Sequence, residues 1–135
     1  MELEKDIVEI IKKSKVIAVV GASRNPEKAA HLIPKYLKEH GYKIIPVNPS
    51  GEKILGEQSY KKLSDIKTKV DIVNIFRPSE ETPEIVKEAV TLKPKLIWLQ
   101  LEIMNNKAKE IAEKSNIKFV MNRCLKVEHS KIFWE

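Results

Sequence analysis

The sequence predicts a three-layer α/β domain in which a five-stranded parallel sheet lies between helices. Short apolar runs alternate with amphipathic stretches along almost the whole chain, which is typical of parallel strands joined by crossover helices. The apolar runs are continuous, as expected of strands that are buried on both faces. The chain has 135 residues and no internal repeat, so residues 1–135 are most simply one domain.

The first half of the chain predicts a helix over residues 1–13, a strand over 15–20, a helix over 26–40 and a strand over 43–47. Gly21 ends the first strand, and Asn25 is the expected N-cap of the helix that follows. Pro34 lies inside that helix, so it should kink the helix or move its start. Pro46 lacks an amide hydrogen, which places it near the end of the second strand.

The second half predicts strands over residues 70–76, 95–100 and 118–121, with helices over 79–92 and 105–116. Ser79 is the expected N-cap of the first of these helices, and Asn105 or Asn106 that of the second. Residues 48–69 read as a loop region with at most one short helical turn, and residues 122–135 as a C-terminal tail.

The alternation of strands and helices favours right-handed crossovers and the strand order 3-2-1-4-5, which is a compact Rossmann-like sheet. In such sheets ligands bind outside the carboxyl ends of the strands. We therefore expect the site residues in the turns that follow the strands.

Composition argues against several classes of function. The formal net charge of +6 favours anionic partners, but Glu is interspersed with Lys throughout, so nucleic-acid binding is not expected. No apolar run approaches the roughly 20 residues that span a bilayer, so no membrane partner is expected either. Cys124 is the only cysteine, which favours a reducing cytoplasm. The dominance of Lys and Glu is typical of hyperthermophile proteins, which suggests a thermophilic source.

The turn after the first strand, in the stretch VIAVVGASRN, has part of a phosphate-binding pattern. Gly21 supplies the glycine with which such a turn begins, and backbone amides together with a helix N-terminus favour an anion there. Ser23 and Pro26 stand where a dinucleotide-binding turn has its second and third glycines. The serine hydroxyl can serve a phosphate, but close approach of a pyrophosphate is less available. An ordinary strand-to-helix turn remains an equal alternative.

The end of the second strand argues against NAD. Nicotinamide-binding folds usually have Asp or Glu there to hold the ribose hydroxyls. This chain has Val47, Asn48 and Pro49, and no carboxylate follows until Glu52. The absence of an acid removes the repulsion that a ribose 3′-phosphate would meet.

The arginines follow predicted strands. The chain has 22 lysines but only three arginines, Arg24, Arg77 and Arg123, which come after the first, third and fifth strands. Arginine offers a planar fork that suits phosphate. We expect Arg24 and Arg77 to contact a ligand, with a weaker case for Arg123.

Six segments of the sequence, in order, carry a resemblance to a known family: VIAVVGAS, LKEHGYKIIPVNP, ILGEQSYKKLSDI, VDIVNIFRP, IWLQ and NRCLKVEH. They resemble the small stand-alone CoA-binding proteins. These are related to the CoA-binding domain of succinyl-CoA synthetase alpha subunits and of ADP-forming acyl-CoA synthetases. The resemblance covers residues 14–130, and its most specific parts are GYxxxPVNP and NRC.

The resemblance implies a Rossmann-like fold that binds coenzyme A or acyl-CoA. It implies that the turn after the first strand contacts phosphates and that the end of the second strand borders the adenosine. The implicated residues are Gly21, Ala22, Ser23, Arg24, Lys28, Val47, Asn48, Pro49, Phe76, Arg77, Gln100 and Cys124. One departure concerns Glu102, because the family commonly has a glycine two positions after the Gln of W-x-Q. The conformation of that loop is therefore open, and the carboxylate could repel part of an anionic ligand.

The resemblance implies a binding domain without a reaction, so we expect a binding or regulatory protein with no catalytic residues and no metal. Two alternatives stay open: an NADP-linked oxidoreductase, because the missing acid also tolerates a 2′-phosphate, and an accessory subunit of an acyl-CoA synthetase chain. The aromatic residues Phe133 and Trp134 leave a homo-oligomer open. Cys124 is either a reactive thiol able to form a mixed disulfide with CoA or a small buried residue.

Overall fold

The computed structural model describes residues 2–134, with side chains for residues 2–133. The helices and strands in this part of the chain are α1 (Lys5–Lys13), β1 (Val16–Val20), α2 (Ala29–Glu39), β2 (Lys43–Val47), β3 (Lys53–Ile54), β4 (Glu57–Gln58), β5 (Ile72–Ile75), α3 (Thr82–Val90), β6 (Leu96–Leu99), α4 (Asn106–Lys114), β7 (Lys118–Val120) and α5 (Leu125–Trp134). Short 3₁₀ turns lie at Leu63–Asp65 and Ser79–Glu81. None of the helices within residues 2–134 has the length and apolar character needed to cross a bilayer.

The main sheet has five parallel strands in the order β2-β1-β5-β6-β7. This confirms the predicted α/β class with a five-stranded parallel sheet. The predicted order 3-2-1-4-5 is wrong in the position of its third strand. That strand is β5, and it pairs with β1 on the side opposite β2, with Val73 beside Ala18.

The outer edge of β2 is covered by a loop residue instead of a full strand. Tyr60 forms a parallel bridge with Val47. The Tyr60 amide donates to the Pro46 carbonyl at 3.0 Å, and its carbonyl accepts the Asn48 amide at 2.9 Å. Pro46 itself offers no amide, which suits an edge strand. The wholly buried β5 lies between β1 and β6 instead, where both of its faces are covered.

Helices cover both faces of the main sheet and give the predicted three layers. Buried residues of α3 and α4 pack on one face, around Val86 and Ala108. Buried residues of α1, α2 and α5 pack on the other face, around Ile11, Leu37 and Leu125. The predicted N-terminal helix is confirmed, because α1 buries the apolar residues that recur at helical spacing.

The start of α2 depends on Pro34. The predicted helix began at residue 26, whereas α2 begins at Ala29, and Asn25 caps only the preceding turn by accepting the Glu27 amide at 3.0 Å. Pro34 cannot donate to the carbonyl of Ala30, four residues earlier. That carbonyl instead accepts the Ser23 amide at 3.1 Å. The proline therefore leaves an acceptor that fastens the turn after β1 to α2.

Of the N-caps predicted for the two later helices, one is confirmed and the other is wrong. Asn105 is confirmed as the N-cap of α4, because its side chain accepts the Ala108 amide at 2.9 Å. Ser79 does not cap α3: a 3₁₀ turn comes first, and the Ser79 hydroxyl accepts the Met104 amide at 3.0 Å instead. Ser79 therefore ties the segment after β5 to the segment after β6.

The predicted C-terminal tail is largely helical, since α5 occupies Leu125–Trp134. His129 on this helix is buried and forms a hydrogen bond of 2.8 Å with the Tyr36 hydroxyl on α2. Burial, together with nearby His40, lowers the pKa of His129. Phe133 is exposed, whereas the side chain of Trp134, the other aromatic residue considered for subunit contact, lies outside the described residues.

Candidate ligand site

Two adjoining clefts lie at the carboxyl edge of the main sheet, and we name them by their linings. The polar cleft has a volume of about 620 Å³ and is lined by Val20, Gly21, Ala22, Ser23, Arg24, Lys28, Val47, Asn48, Pro49, Ser50, Glu52, Lys61, Lys62, Leu63, Arg77, Glu81, Ile85 and Glu88. The apolar cleft has a volume of about 640 Å³ and is lined by Lys28, Ala29, Ala30, Ile33, Phe76, Arg77, Pro78, Gln100, Leu101, Glu102, Ile103 and Cys124. Lys28 and Arg77 line both clefts, so the two are contiguous.

Gly21 fits the polar cleft because it has no side chain. Its backbone has φ +85°, and a Cβ added there would lie 2.5 Å from the carbonyl oxygen of Phe76. Its amide donates to the Val47 carbonyl at 3.0 Å. The end of β1 is therefore packed directly between the ends of β2 and β5, where only glycine is accommodated without strain.

Ser23 is held by α2 through both of its backbone groups. Its amide donates to Ala30, as described above, and its carbonyl lies 2.7 Å from the Nδ1 atom of His31. Its hydroxyl accepts the Asn25 amide at 3.0 Å. The amides of Ala22 and Arg24 form no hydrogen bond with any residue in 2–134. They are therefore the backbone donors that this turn can offer to an anion.

Asn48 fixes the shape of the polar cleft. Its side-chain amide donates to the Ala22 carbonyl at 2.8 Å, and its side-chain oxygen accepts the Ser50 amide at 2.9 Å. The side chain thus joins the end of β2 to the turn after β1. A carboxylate at this position could not donate to Ala22.

The polar cleft is not free of acids, which corrects the sequence-based expectation. Glu52 forms an ion pair with Arg24. Glu81 pairs with Arg77 through two hydrogen bonds of 3.0 Å each. Glu88, which also lines this cleft, accepts from the backbone and hydroxyl of Ser64. These carboxylates come from other segments of the chain, so inspection of the end of β2 alone could not find them.

Cations nevertheless outnumber carboxylates around the polar cleft. Three of its lysines, Lys28, Lys61 and Lys62, form no ion pair with any residue described in the structure. Lys61 and Lys62 were missed by sequence reasoning because they lie in the predicted loop. Their one signal was an adjacent basic pair directly after Tyr60, whose bridge to β2 brings them to the sheet edge.

The apolar cleft is formed by the first turn of α2 and by the segments that follow β5 and β6. Phe76 and Ile103 are half-buried in its wall, and Cys124 is half-buried at the approach to α5. Gln100 is buried and its side-chain oxygen accepts the Leu125 amide at 3.3 Å. Gln100 therefore anchors the start of α5 beside the cleft.

The backbone at Glu102 shows which conformation the loop after β6 adopts. Its φ is +71°, so the backbone bends as it would at a glycine. Its amide donates to the side-chain oxygen of Asn122 at 2.8 Å, which holds the bend in place. The loop therefore keeps a left-handed conformation, although the residue there is a glutamate.

The structure places all twelve residues expected from the sequence in the lining of these clefts. Nine line the polar cleft, five line the apolar cleft, and Lys28 and Arg77 belong to both. Arg123 lies elsewhere, where its guanidinium is 3.5 Å from Glu128. Within residues 2–134 no group of His, Cys, Asp or Glu residues is arranged to hold a metal ion.

Proteins of similar sequence fall into two groups. The uncharacterized protein YneT of Bacillus subtilis is 36% identical over 125 residues, which is 93% of each chain. An ADP-forming acetate–CoA ligase of Methanocaldococcus jannaschii is 30% identical over 126 residues, which cover 87% of this chain but 18% of the ligase. The chain thus matches whole small proteins and also a limited part of a much longer enzyme.

Solved structures share the fold over nearly the whole chain. A protein of Thermus thermophilus has a TM-score of 0.91 and 37% identity, covering 96% of this chain and 98% of its own. A hypothetical protein of Pyrococcus horikoshii also has a TM-score of 0.91 and 37% identity, covering 96% of this chain and 92% of its own. The family model for the CoA binding domain matches residues 15–130, a range that includes every residue of both clefts. The chain therefore belongs to the CoA binding domain family.

Proposed function

We propose that this protein binds coenzyme A or an acyl-CoA across the two clefts, as a binding or regulatory protein without catalysis of its own. The observation that carries the proposal is the contiguity of a cation-rich cleft with an apolar one. Coenzyme A is a phosphorylated nucleotide that continues into an uncharged arm ending in a thiol. One end of such a ligand needs cations and backbone donors, and the other needs an apolar wall.

The polar cleft suits the phosphates. The amides of Ala22 and Arg24 lie at the turn after β1, and three lysines without ion pairs line the same space. Gly21 has no Cβ, which would otherwise collide with the Phe76 carbonyl. The backbone of this turn can therefore lie close to the end of β5. Arg24 and Arg77 already have carboxylate partners, so they would exchange Glu52 and Glu81 for phosphate oxygens on binding.

The apolar cleft suits the arm and its thiol. Half-buried Phe76 and Ile103 offer apolar surface, and Cys124 lies in the same wall. An arm that leaves the polar cleft between Lys28 and Arg77 would enter this space directly. The single cysteine remains consistent with the proposed cytoplasmic setting.

Calorimetric titration with coenzyme A, dephospho-CoA, NAD and NADP tests this proposal. We expect the tightest binding for coenzyme A and weaker binding for dephospho-CoA, because the 3′-phosphate gains contacts with lysines. Tighter binding of NAD or NADP would contradict the proposal and support the oxidoreductase alternative.

Lys28→Ala supplies a matched test of the position of the phosphates. Lys28 is exposed and has no carboxylate partner among residues 2–134, so its loss should leave the fold intact. We expect affinity for coenzyme A to fall about tenfold, the typical effect of losing a charge-assisted hydrogen bond. Lys114→Ala at the end of α4, outside both clefts, is the control and should bind as the parent does.

A second candidate function is supported by the extent of the match to ligases. The chain corresponds to 18% of the Methanocaldococcus ligase, so a separate chain could supply the remaining domains of such an enzyme. In that case the protein would be an accessory subunit that lends its CoA site to an acyl-CoA synthetase. Co-purification with a synthetase chain would support this role, and recovery of the protein free of any such chain would favour the stand-alone role.

A further inference from the structure

The apolar cleft contains one carboxylate among the described residues, that of Glu102. The other charged residues in its lining are Lys28 and Arg77, which lie where the two clefts meet. Arg77 is already paired with Glu81. The part of the cleft away from the polar cleft therefore has apolar walls, one amide side chain and a single negative charge.

Glu102 stands at a position that its backbone does not favour. A φ of +71° is strained for any residue with a Cβ, whereas glycine adopts it freely. The hydrogen bond from its amide to Asn122 fixes this conformation. Strained residues of this kind cluster at ligand sites, where the side chain has a use that offsets the strain.

We propose that Glu102 is a specificity-determining residue that makes the apolar cleft reject acyl groups carrying a carboxylate and accept neutral ones. The inference rests on the proposed function, since it requires the thiol end of the ligand to lie in the apolar cleft. A carboxylate on the acyl group would then be brought towards the exposed carboxylate of Glu102, and like charges at short range on a protein surface repel each other. The cations at the junction are not available to compensate, because the proposed function has both Lys28 and Arg77 contact phosphate oxygens when the ligand is bound.

Butyryl-CoA and succinyl-CoA test this inference, because both acyl groups have four carbons and only the second is charged. Calorimetric titration of the parent protein should show butyryl-CoA bound about tenfold more tightly than succinyl-CoA. Glu102→Gln keeps the backbone strain and removes the charge, so the two affinities should come within about threefold of each other. Glu102→Gly, which removes both, should give the same loss of discrimination.

Glu110→Gln is the matched control, because Glu110 is an exposed glutamate on α4 outside both clefts. This variant should keep the tenfold preference. The inference is overturned if the parent does not discriminate, if Glu102→Gln retains the preference, or if Glu110→Gln loses it as well. A parent that binds coenzyme A but fails these tests contradicts the role of Glu102 alone. A parent that binds neither coenzyme A nor its thioesters contradicts the proposed function too.

Discussion

The polar and apolar clefts share one sheet edge and two residues, yet they are built differently. The polar cleft is formed by backbone and by charged side chains, and its key turn is fastened by Asn48 and by α2. The apolar cleft is formed by side-chain surface, and its walls come from segments far apart in sequence that Gln100 and Ser79 hold together. The difference teaches that one side of this edge holds its backbone donors and cations by hydrogen bonds, whereas the other side is shaped by packing.

Gly21→Ala is the substitution expected to disturb this arrangement most, because Gly21 lines the polar cleft and packs against the end of β5. The new Cβ would lie 2.5 Å from the Phe76 carbonyl at a φ of +85°. Backbone strain and overpacking together should lower the free energy of unfolding by about 3 kcal/mol. Denaturant unfolding measures this loss, and coenzyme A titration of the folded variant should show binding abolished.

Gly41→Ala controls for backbone strain alone. Gly41 has a φ of +98°, but a Cβ there would meet no atom within 4 Å. We expect a loss of about 1 kcal/mol and unchanged ligand binding. Equal losses in the free energy of unfolding for Gly21→Ala and Gly41→Ala would show that the close approach to Phe76 contributes nothing to the destabilisation.

Asn74→Leu tests the packing of the main sheet on the side of the apolar cleft. Asn74 is fully buried in β5, on the face of the sheet that Phe76 also occupies, and neither of its side-chain polar atoms has a partner within the described residues. Replacing a buried unpaired amide by a hydrocarbon of similar size should raise the free energy of unfolding by about 1–2 kcal/mol. Denaturant unfolding tests this, and a destabilised variant would show that the amide has a partner in solution, such as a bound water.

His129 makes the packing of α5 on α2 depend on pH, because its ring forms a hydrogen bond with the Tyr36 hydroxyl on α2. Burial and the neighbouring His40 lower its pKa in the folded state, so the unfolded chain binds the proton more readily. The contribution of His129 to stability is complete above pH of about 6.5 and is lost as the pH falls below that value. Unfolding measured from pH 8 to pH 5 should follow this trend.

His129→Gln should flatten the pH dependence of the free energy of unfolding. His31→Gln, a histidine substitution on α2, which covers the same face of the sheet as α5, should keep that dependence. An unchanged dependence in His129→Gln would assign it to other groups.

Glu52→Gln should have the smallest effect, and it tests the polar cleft. The substitution removes the partner of Arg24 and leaves the arginine available to phosphate. Because both side chains are largely exposed, the pair contributes no more than about 0.5 kcal/mol. Affinity for coenzyme A should rise about twofold by calorimetry. A fall in affinity would mean that Glu52 itself contacts the ligand.

The polar cleft could be predicted from the sequence because local rules determine most of it. A glycine after a buried strand and a non-acidic residue at the end of β2 are readable from short segments. The acids of that cleft were not readable, because Glu52 and Glu81 reach it from segments whose positions depend on the fold. The hydrogen bond between Ser23 and Ala30 also needed the structure, although Pro34 was its signal.

The strand order and the last helix were mispredicted for separable reasons. The bridge of Tyr60 to β2 is too short to appear as a strand in the sequence, so β5 was assigned to the wrong side of the sheet. In α5 the buried positions include Glu128 and His129, which removes the contrast between apolar and polar faces by which helices are recognised. At the edge of β2 and in α5, tertiary contacts therefore determine the structure where the local sequence pattern does not.

A crystal structure of the protein with coenzyme A tests the central claim, that one ligand spans both clefts. We predict phosphates against the turn after β1 and beside Lys28, with the thiol sulfur in the apolar cleft near Cys124. A thiol arm that runs past Lys61 and Lys62 into solvent, with the apolar cleft empty, would contradict the account.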